Sequence, residues 1–193
     1  QPGVAQIGAG TGTNITLGQT PFMGNYEGSK IQYLFTAAEL NAQGINAGIL
    51  TSLAFNITTV TSTVPLSAYT VKLGTTAVTS LTAYQSGLTT VYIAPTPHAP
   101  AAGWNTFNFT TPFVWNGTSN VVIEICHNND PTGSCTGGAG VCWGGNPTVQ
   151  STTTAFTSIF GTYDDNSTPN PSFDACSNVF DTPTTTSGTN RPN

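Results

Sequence analysis

Run after run of this chain alternates apolar with polar residues at a period of two, and turn signals cut the runs apart. That period sends every second side chain to one face of a strand and leaves no stripe for an amphipathic helix. In "GILTSLAFNITTV", Ile49, Leu53, Phe55 and Ile57 fall on one face, and Ser52, Ala54 and Asn56 on the other. "AYTVKLGTT" sets Tyr69, Val71 and Leu73 inward and Lys72 outward, and "LTTVYIAP" does the same with Val91 and Ile93. In "WNTFNFTTPFVW", Phe107 and Phe109 alternate with Asn108, and Pro112 breaks the run before Phe113 and Trp115. "SNVVIEICH" points Val121, Ile123 and Ile125 in and Glu124 out. Gly74-Thr75, Ser86-Gly87, the proline-rich segment 95–100 and "WNGTSN" supply the turns.

A helix is signalled once. Thr36 stands three residues before Glu39, a capping box, and Gly44 can close the C-terminal end in a left-handed conformation, so about two turns fit between them. Many short strands with one short helix imply an all-β fold, a β-sandwich of jelly-roll or Ig-like type. We expect a single domain over 1–193, of which 181–193, "DTPTTTSGTNRPN", is poor in apolar residues and reads as a coil-like tail.

Only 6% of the residues are charged, against about a quarter in ordinary globular proteins, and the net charge is −5. So few cations cannot release many counterions from a phosphate backbone, which argues against nucleic acid and anionic lipid as partners. No apolar run reaches the roughly 20 residues that span a bilayer as a helix, so membrane insertion is not expected. Polarity is carried by Thr, Ser, Asn and Gly; threonine, β-branched and suited to pleated surfaces, is the commonest residue. This composition suggests a secreted, extracellular protein, with Gln1 exposed by signal cleavage. Asn-x-Ser/Thr sequons stand at Asn14, Asn56, Asn108, Asn116 and Asn166 and need no glycan to explain them in so threonine-rich a chain.

The stretch "CHNNDPTGSCTGGAGVCWGGN" gathers three of the four cysteines with a histidine and an aspartate. A structural zinc site favours cysteines two to four residues apart, and no such knuckle occurs. Cys126 and His127, adjacent on a strand, point to opposite faces. An even cysteine count in an extracellular chain favours disulfides; of the three possible pairings we expect Cys135–Cys142 to close the glycine-rich loop and Cys126–Cys176 to tie the strand end to the C-terminal region. Hydrolytic chemistry has little to start from: His98 lies between prolines, in what reads as a solvated loop, and no G-x-S-x-G elbow is present. "YDDNSTPNPSFD" offers Asp164, Asp165, Asn166 and Asp174 as oxygen donors for a structural calcium, beside the plainer reading of an Asx-rich turn. Trp143, next to "GGN" with Asn146, and Tyr163 are candidates for stacking on a sugar; Trp104 and Trp115 read as core or strand-end packing.

Three phrases, "MGNYEGSKIQYLFTAAELNAQGINAGILTSLAFNI", "AGWNTFNFTTPFVWNGTSNVVIEICHNN" and "TSGTNRPN", together resemble a β-sandwich module of large secreted Bacteroidetes surface proteins, the type IX secretion cargo and gliding-adhesin kind. The resemblance implies a cell-surface sandwich beside other such modules, with no catalytic residues to carry over. In that family the "NRPN" phrase precedes one more apolar strand, which implies here a last strand that is missing or donated by a neighbouring chain. The function expected is a non-catalytic structural or adhesive module, a subunit of a cell-surface fibre with strand exchange between copies, whose partners are those copies or neighbouring surface modules. A carbohydrate-binding module that takes glycans on an aromatic platform is the alternative, and a secreted hydrolase the third. No cofactor beyond a structural calcium is implied.

Overall fold

The computed structural model describes residues 3–14, 16–60, 64–129, 144–164 and 174–193. Two antiparallel sheets face each other. One holds β1 (Gly12–Asn14), β8 (Thr148–Thr153), β3 (Gly48–Thr59) and β6 (Gly103–Trp115) in that order, with β11 (Asn190–Pro192) also pairing with β8. The other runs β10 (Pro183–Gly188), β9 (Ile159–Asp164), β2 (Gly28–Phe35), β7 (Asn120–Asn128), β4 (Thr70–Thr76) and β5 (Thr89–Ile93). This is the all-β sandwich that the alternation implied.

Between the sheets lie Ile31, Tyr33, Phe55, Ile57, Val71, Leu73, Phe107, Trp115 and Ile125, all buried. Each comes from a strand whose alternate residues face away, which is how the period of two becomes a core. The helix α1 (Ala37–Ala42) has both halves of its capping box: Thr36 Oγ1 accepts from the Glu39 amide at 3.2 Å, and Glu39 accepts from the Thr36 amide at 2.8 Å. Gly44, at φ +80°, follows its end.

Several expectations fail for local reasons. Ile49 is 64% exposed, because the β3–β6 register shifts between Leu50 and Ser52, where Thr51 alone stands against residues 109–112 of β6, and past that irregularity the inward face passes to Leu50. Pro112 does not end β6, whose extended backbone runs through it, but the pairing with β3 is interrupted between Asn108 and Phe113, where a residue without an N–H is tolerated. Ile93, at the end of the edge strand β5, is exposed instead of inward. The segment 181–193 is not a coil. β10 pairs with β9 over six residues and β11 with β8 over three. Threonine has the strand propensity for this, and an edge strand needs no alternating apolar set.

The outward faces of the two sheets differ. On the six-stranded sheet, segment 77–88 and a 3-10 turn (Ala175–Ser177) cover the outer side, burying Leu34, Leu81 and Val122 in a second small cluster. On the five-stranded sheet, β3 and β6 turn their outer side chains to solvent.

Candidate functional site

Two regions carry side chains that could act. The first lies under the cover of the six-stranded sheet. Lys72 of β4, Glu124 of β7 and Gln32 of β2 stand opposite one another in register, and Thr70, Cys126 and Lys30 form the next rank. Glu124 meets Lys72 at 3.0 Å through Oε1 and Lys30 at 3.4 Å through Oε2. Gln32 Nε2 donates to the same Oε2 at 2.8 Å, and Gln32 Oε1 accepts from the Gln85 amide. Tyr84, from the covering segment, lays its ring 4.5 Å from the Lys30 ammonium and donates its hydroxyl to the Lys30 carbonyl. Burial and the nearby Glu124 charge push the Tyr84 phenol upward, against hydrogen bonds with Thr162. The alternation correctly sends Lys72 and Glu124 outward. It carries no sign that segment 77–88 folds back over them.

The Cys126–Cys176 disulfide is present, with Cα atoms 5.2 Å apart, and it ties the 3-10 turn to β7 beside this cluster. Cys135 and Cys142 lie outside the described residues. Arg191 pairs with Glu39 at 2.8 Å, so all three basic residues of the chain are in ion pairs.

The second region is the outer face of β3 and β6. Trp104, 52% exposed, stands opposite Asn56, whose Nδ2 donates to Gln150 Oε1 at 3.0 Å. Thr106 faces Ala54 and Asn108 faces Ser52 along the same strands, and past the bulge Ile49 pairs with Val114, 64% and 72% exposed. No residue of β3 or β6 is charged. Trp115 is buried as expected, but Trp104 is the exposed ring that sequence reading assigned to packing. Its even position, shared with Thr106 and Asn108 and opposite in parity to buried Phe107, was the available signal.

The other candidates are placed as follows. Asn146 is buried, and its Oδ1 accepts from the Gly24 and Asn25 amides at 2.9 and 3.3 Å, holding two segments together. Tyr163 stacks on Tyr26 with centroids 4.9 Å apart. Trp143 lies outside the described residues. Of the calcium candidates, Asp164 accepts from the Asp181 and Thr182 amides and the Thr182 hydroxyl. Asp174 caps the 3-10 turn through the Cys176 amide and the Ser177 amide and hydroxyl. Both carboxylates thus satisfy backbone groups; Asp165 and Asn166 lie outside the described residues.

His98 is half-buried against Tyr69 and Phe107, not a solvated loop residue, and burial lowers its pKa, opposed by a side-chain hydrogen bond with Asn105. His127 is fully buried, with its Nε2 2.9 Å from Ser29 Oγ. Burial drives its pKa down to about 3, opposed by Asn129 and reinforced by His98. At neutral pH this is an uncharged core imidazole in a hydrogen bond, packed parallel to Tyr69.

No family model, no curated protein and no solved structure matches this chain.

Proposed function

We propose that this chain is a non-catalytic structural or adhesive module of an extracellular surface, and that copies of it associate by strand addition. One observation carries the reading. β3 lies between β6 and β8, yet it pairs with β8 only at Ile57 and Thr59, and no described residue pairs with that second edge over 48–56. Among the described residues that stretch of edge is unpaired, and unpaired peptide groups can take a strand from a second copy. Thr51 and Ser52 are exposed there, and neither lysine nor aspartate guards the edge. The Cys126–Cys176 disulfide and the threonine-rich, nearly uncharged surface support an oxidising, extracellular setting.

The test is the assembly state, by sedimentation velocity over a concentration series with electron microscopy of the concentrated end. Self-association is expected, and Thr51→Lys, a charge at the exposed bulge, is expected to abolish it while leaving the fold intact. A wild-type chain that stays monomeric throughout overturns the reading. Trp104 beside Asn56 and Gln150 favours a second reading, a sugar-binding face; glycan binding that Trp104→Ala removes would favour it over self-association.

A further inference from the structure

The buried cluster under segment 77–88 has an electrostatic excess that its hydrogen bonds do not remove. Two ammonium groups share one carboxylate, and the side chains of Lys30 and Glu124 are only 8% and 3% exposed. Lys72 keeps 20% of its side chain in solvent, so the enclosed part of the cluster is Lys30 and Glu124, and the carboxylate is shared between two cationic side chains. A third group completes the geometry. Lys30 Nζ donates to Asn178 Oδ1 at 2.6 Å, which brings the nitrogen onto the oxygen of a carboxamide at the exposed rim of the cluster. Asn178 is held there by its backbone: it ends the 3-10 turn in the left-handed region, φ 62° and ψ 30°. Cys176, two residues earlier, anchors the turn to β7 through the disulfide to Cys126, the residue directly opposite Lys30 in register.

The geometry points to an intramolecular amide bond between Lys30 Nζ and Asn178 Cγ, formed with Glu124 as the proton carrier. Glu124 takes a proton from the Lys30 ammonium, and the free amine attacks Cγ. The new Nζ–Cγ bond forms and the carbonyl pair moves onto Oδ1. The tetrahedral centre then collapses, the Cγ–Nδ2 bond breaks, and the departing nitrogen takes the proton held by Glu124 together with one of the two amine protons, the other staying as the amide N–H. The nitrogen therefore leaves as ammonium, carrying off the positive charge that the lysine brought, and Glu124 is ionised again. No oxidant, reductant or activated co-reactant is consumed. Lys72, on the other oxygen of Glu124 and donating to the Cys176 carbonyl at 3.0 Å, fixes the carboxylate in place. Once Lys30 is an amide, Lys72 and Glu124 remain as a neutral pair, so the reaction removes the excess charge. The 3-10 turn is then tied to two adjacent strands, through sulfur to β7 and through the amide to β2.

Peptide mapping of the intact chain tests this. After full reduction and alkylation, digestion with pepsin and tandem mass spectrometry should recover a branched peptide that joins the segments around Lys30 and Asn178 and is lighter by one ammonia than their sum. An N-terminal glutamine can also lose ammonia, so the loss is assigned from the peptides and not from whole-chain mass. Asn178→Gly suits the left-handed turn and lacks the carboxamide; it should fold and yield only linear peptides. Glu124→Gln and Glu124→Asp are read together, the first expected to lose the branched peptide and the second to retain part of it. Wild-type chain that yields only linear peptides with an unmodified Lys30 overturns the bond and leaves an ion pair. Branched peptide at the wild-type level in Glu124→Gln overturns the role of Glu124.

Discussion

Replacing Arg191 with Met should cost about 3–5 kcal/mol, although the residue lies in a segment that reads as a polar tail. Arg191 is 1% exposed. Its Nη2 donates to Glu39 Oε1 at 2.8 Å and its Nη1 to Glu39 Oε2 at 3.2 Å and to the Leu34 carbonyl, while the guanidinium sits 3.8 Å from the Phe35 ring centre. Methionine keeps most of the aliphatic stem, so the loss reports on the guanidinium. Removing a donor from the buried Leu34 carbonyl contributes about 1–3 kcal/mol. The stacking on Phe35 contributes roughly 0.5–2. The paired carboxylate adds less than a fully buried one, because Glu39 keeps 30% of its side chain in solvent and can rehydrate. For a chain of this size the loss corresponds to a fall in Tm of about 6–20 °C. Urea unfolding followed by fluorescence gives the value directly. A double-mutant cycle with Glu39→Gln should show a coupling of about 1–3 kcal/mol. The same pair sets an acid response. Burial alone raises the Glu39 carboxyl, but hydrogen bonds from Arg191 and Thr36 and the Arg191 charge outweigh it, and the net shift is downward. A carboxyl lowered in the folded chain binds its proton more readily when unfolded. Its stabilisation is therefore complete above the unfolded carboxyl range and is lost as pH falls through the folded value. Arg191→Met within about 1 kcal/mol of wild type, with an unchanged acid limb, would falsify the claim that this residue anchors the end of the chain.

Two further substitutions probe the core. His127 takes up a proton near 6.5 when unfolded but only at about 3 when folded, so it erodes stability as pH falls between those values. His127→Gln should flatten that part of a stability-versus-pH curve measured by urea midpoints; an unchanged slope would mean that other groups set it. Gly161, in the middle of β9, has no room for a side chain: a Cβ there would lie 2.0 Å from the Gly18 carbonyl oxygen, a backbone atom. Gly161→Ala should therefore cost about 1–3 kcal/mol by thermal unfolding, and a neutral result would show that the 18–20 segment moves aside freely.

The elements that were legible in the sequence are those whose signal is local. Tyr69, Val71 and Leu73 declare a strand by parity, and Thr36 with Glu39 declares a helix start by spacing; both are where they should be. Parity also fixes which way Lys72 and Glu124 point. What parity cannot give is what lies above a face, and this decides the chemistry. The same outward parity leaves Trp104 in solvent and encloses Lys30 and Glu124, because segment 77–88 crosses one sheet and no described segment crosses the β3–β6 face. The bulge at Leu50–Ser52 is invisible for a related reason: it is a two-strand event, set by how β3 meets β6.

That distinction bears on how so few charges are used. A surface made of threonine and asparagine has little need of ion pairs for solubility, and this chain places all three of its cations away from open solvent. Arg191 holds the end of the chain to the helix start, and Lys30 and Lys72 hold the disulfide-bonded turn to the sheet. Each cation therefore fastens the C-terminal third of the chain onto elements much earlier in sequence, Arg191 through its ion pair with Glu39, and Lys30 and Lys72 through hydrogen bonds to Asn178 and the Cys176 carbonyl. The edge of β3 that is unpaired among the described residues and the Trp104 face are neutral and can be buried without stripping water from a charge. Adding a single charge at Thr51 should therefore perturb association far more than stability, and it is this separation of the two readouts that makes Thr51→Lys a decisive variant.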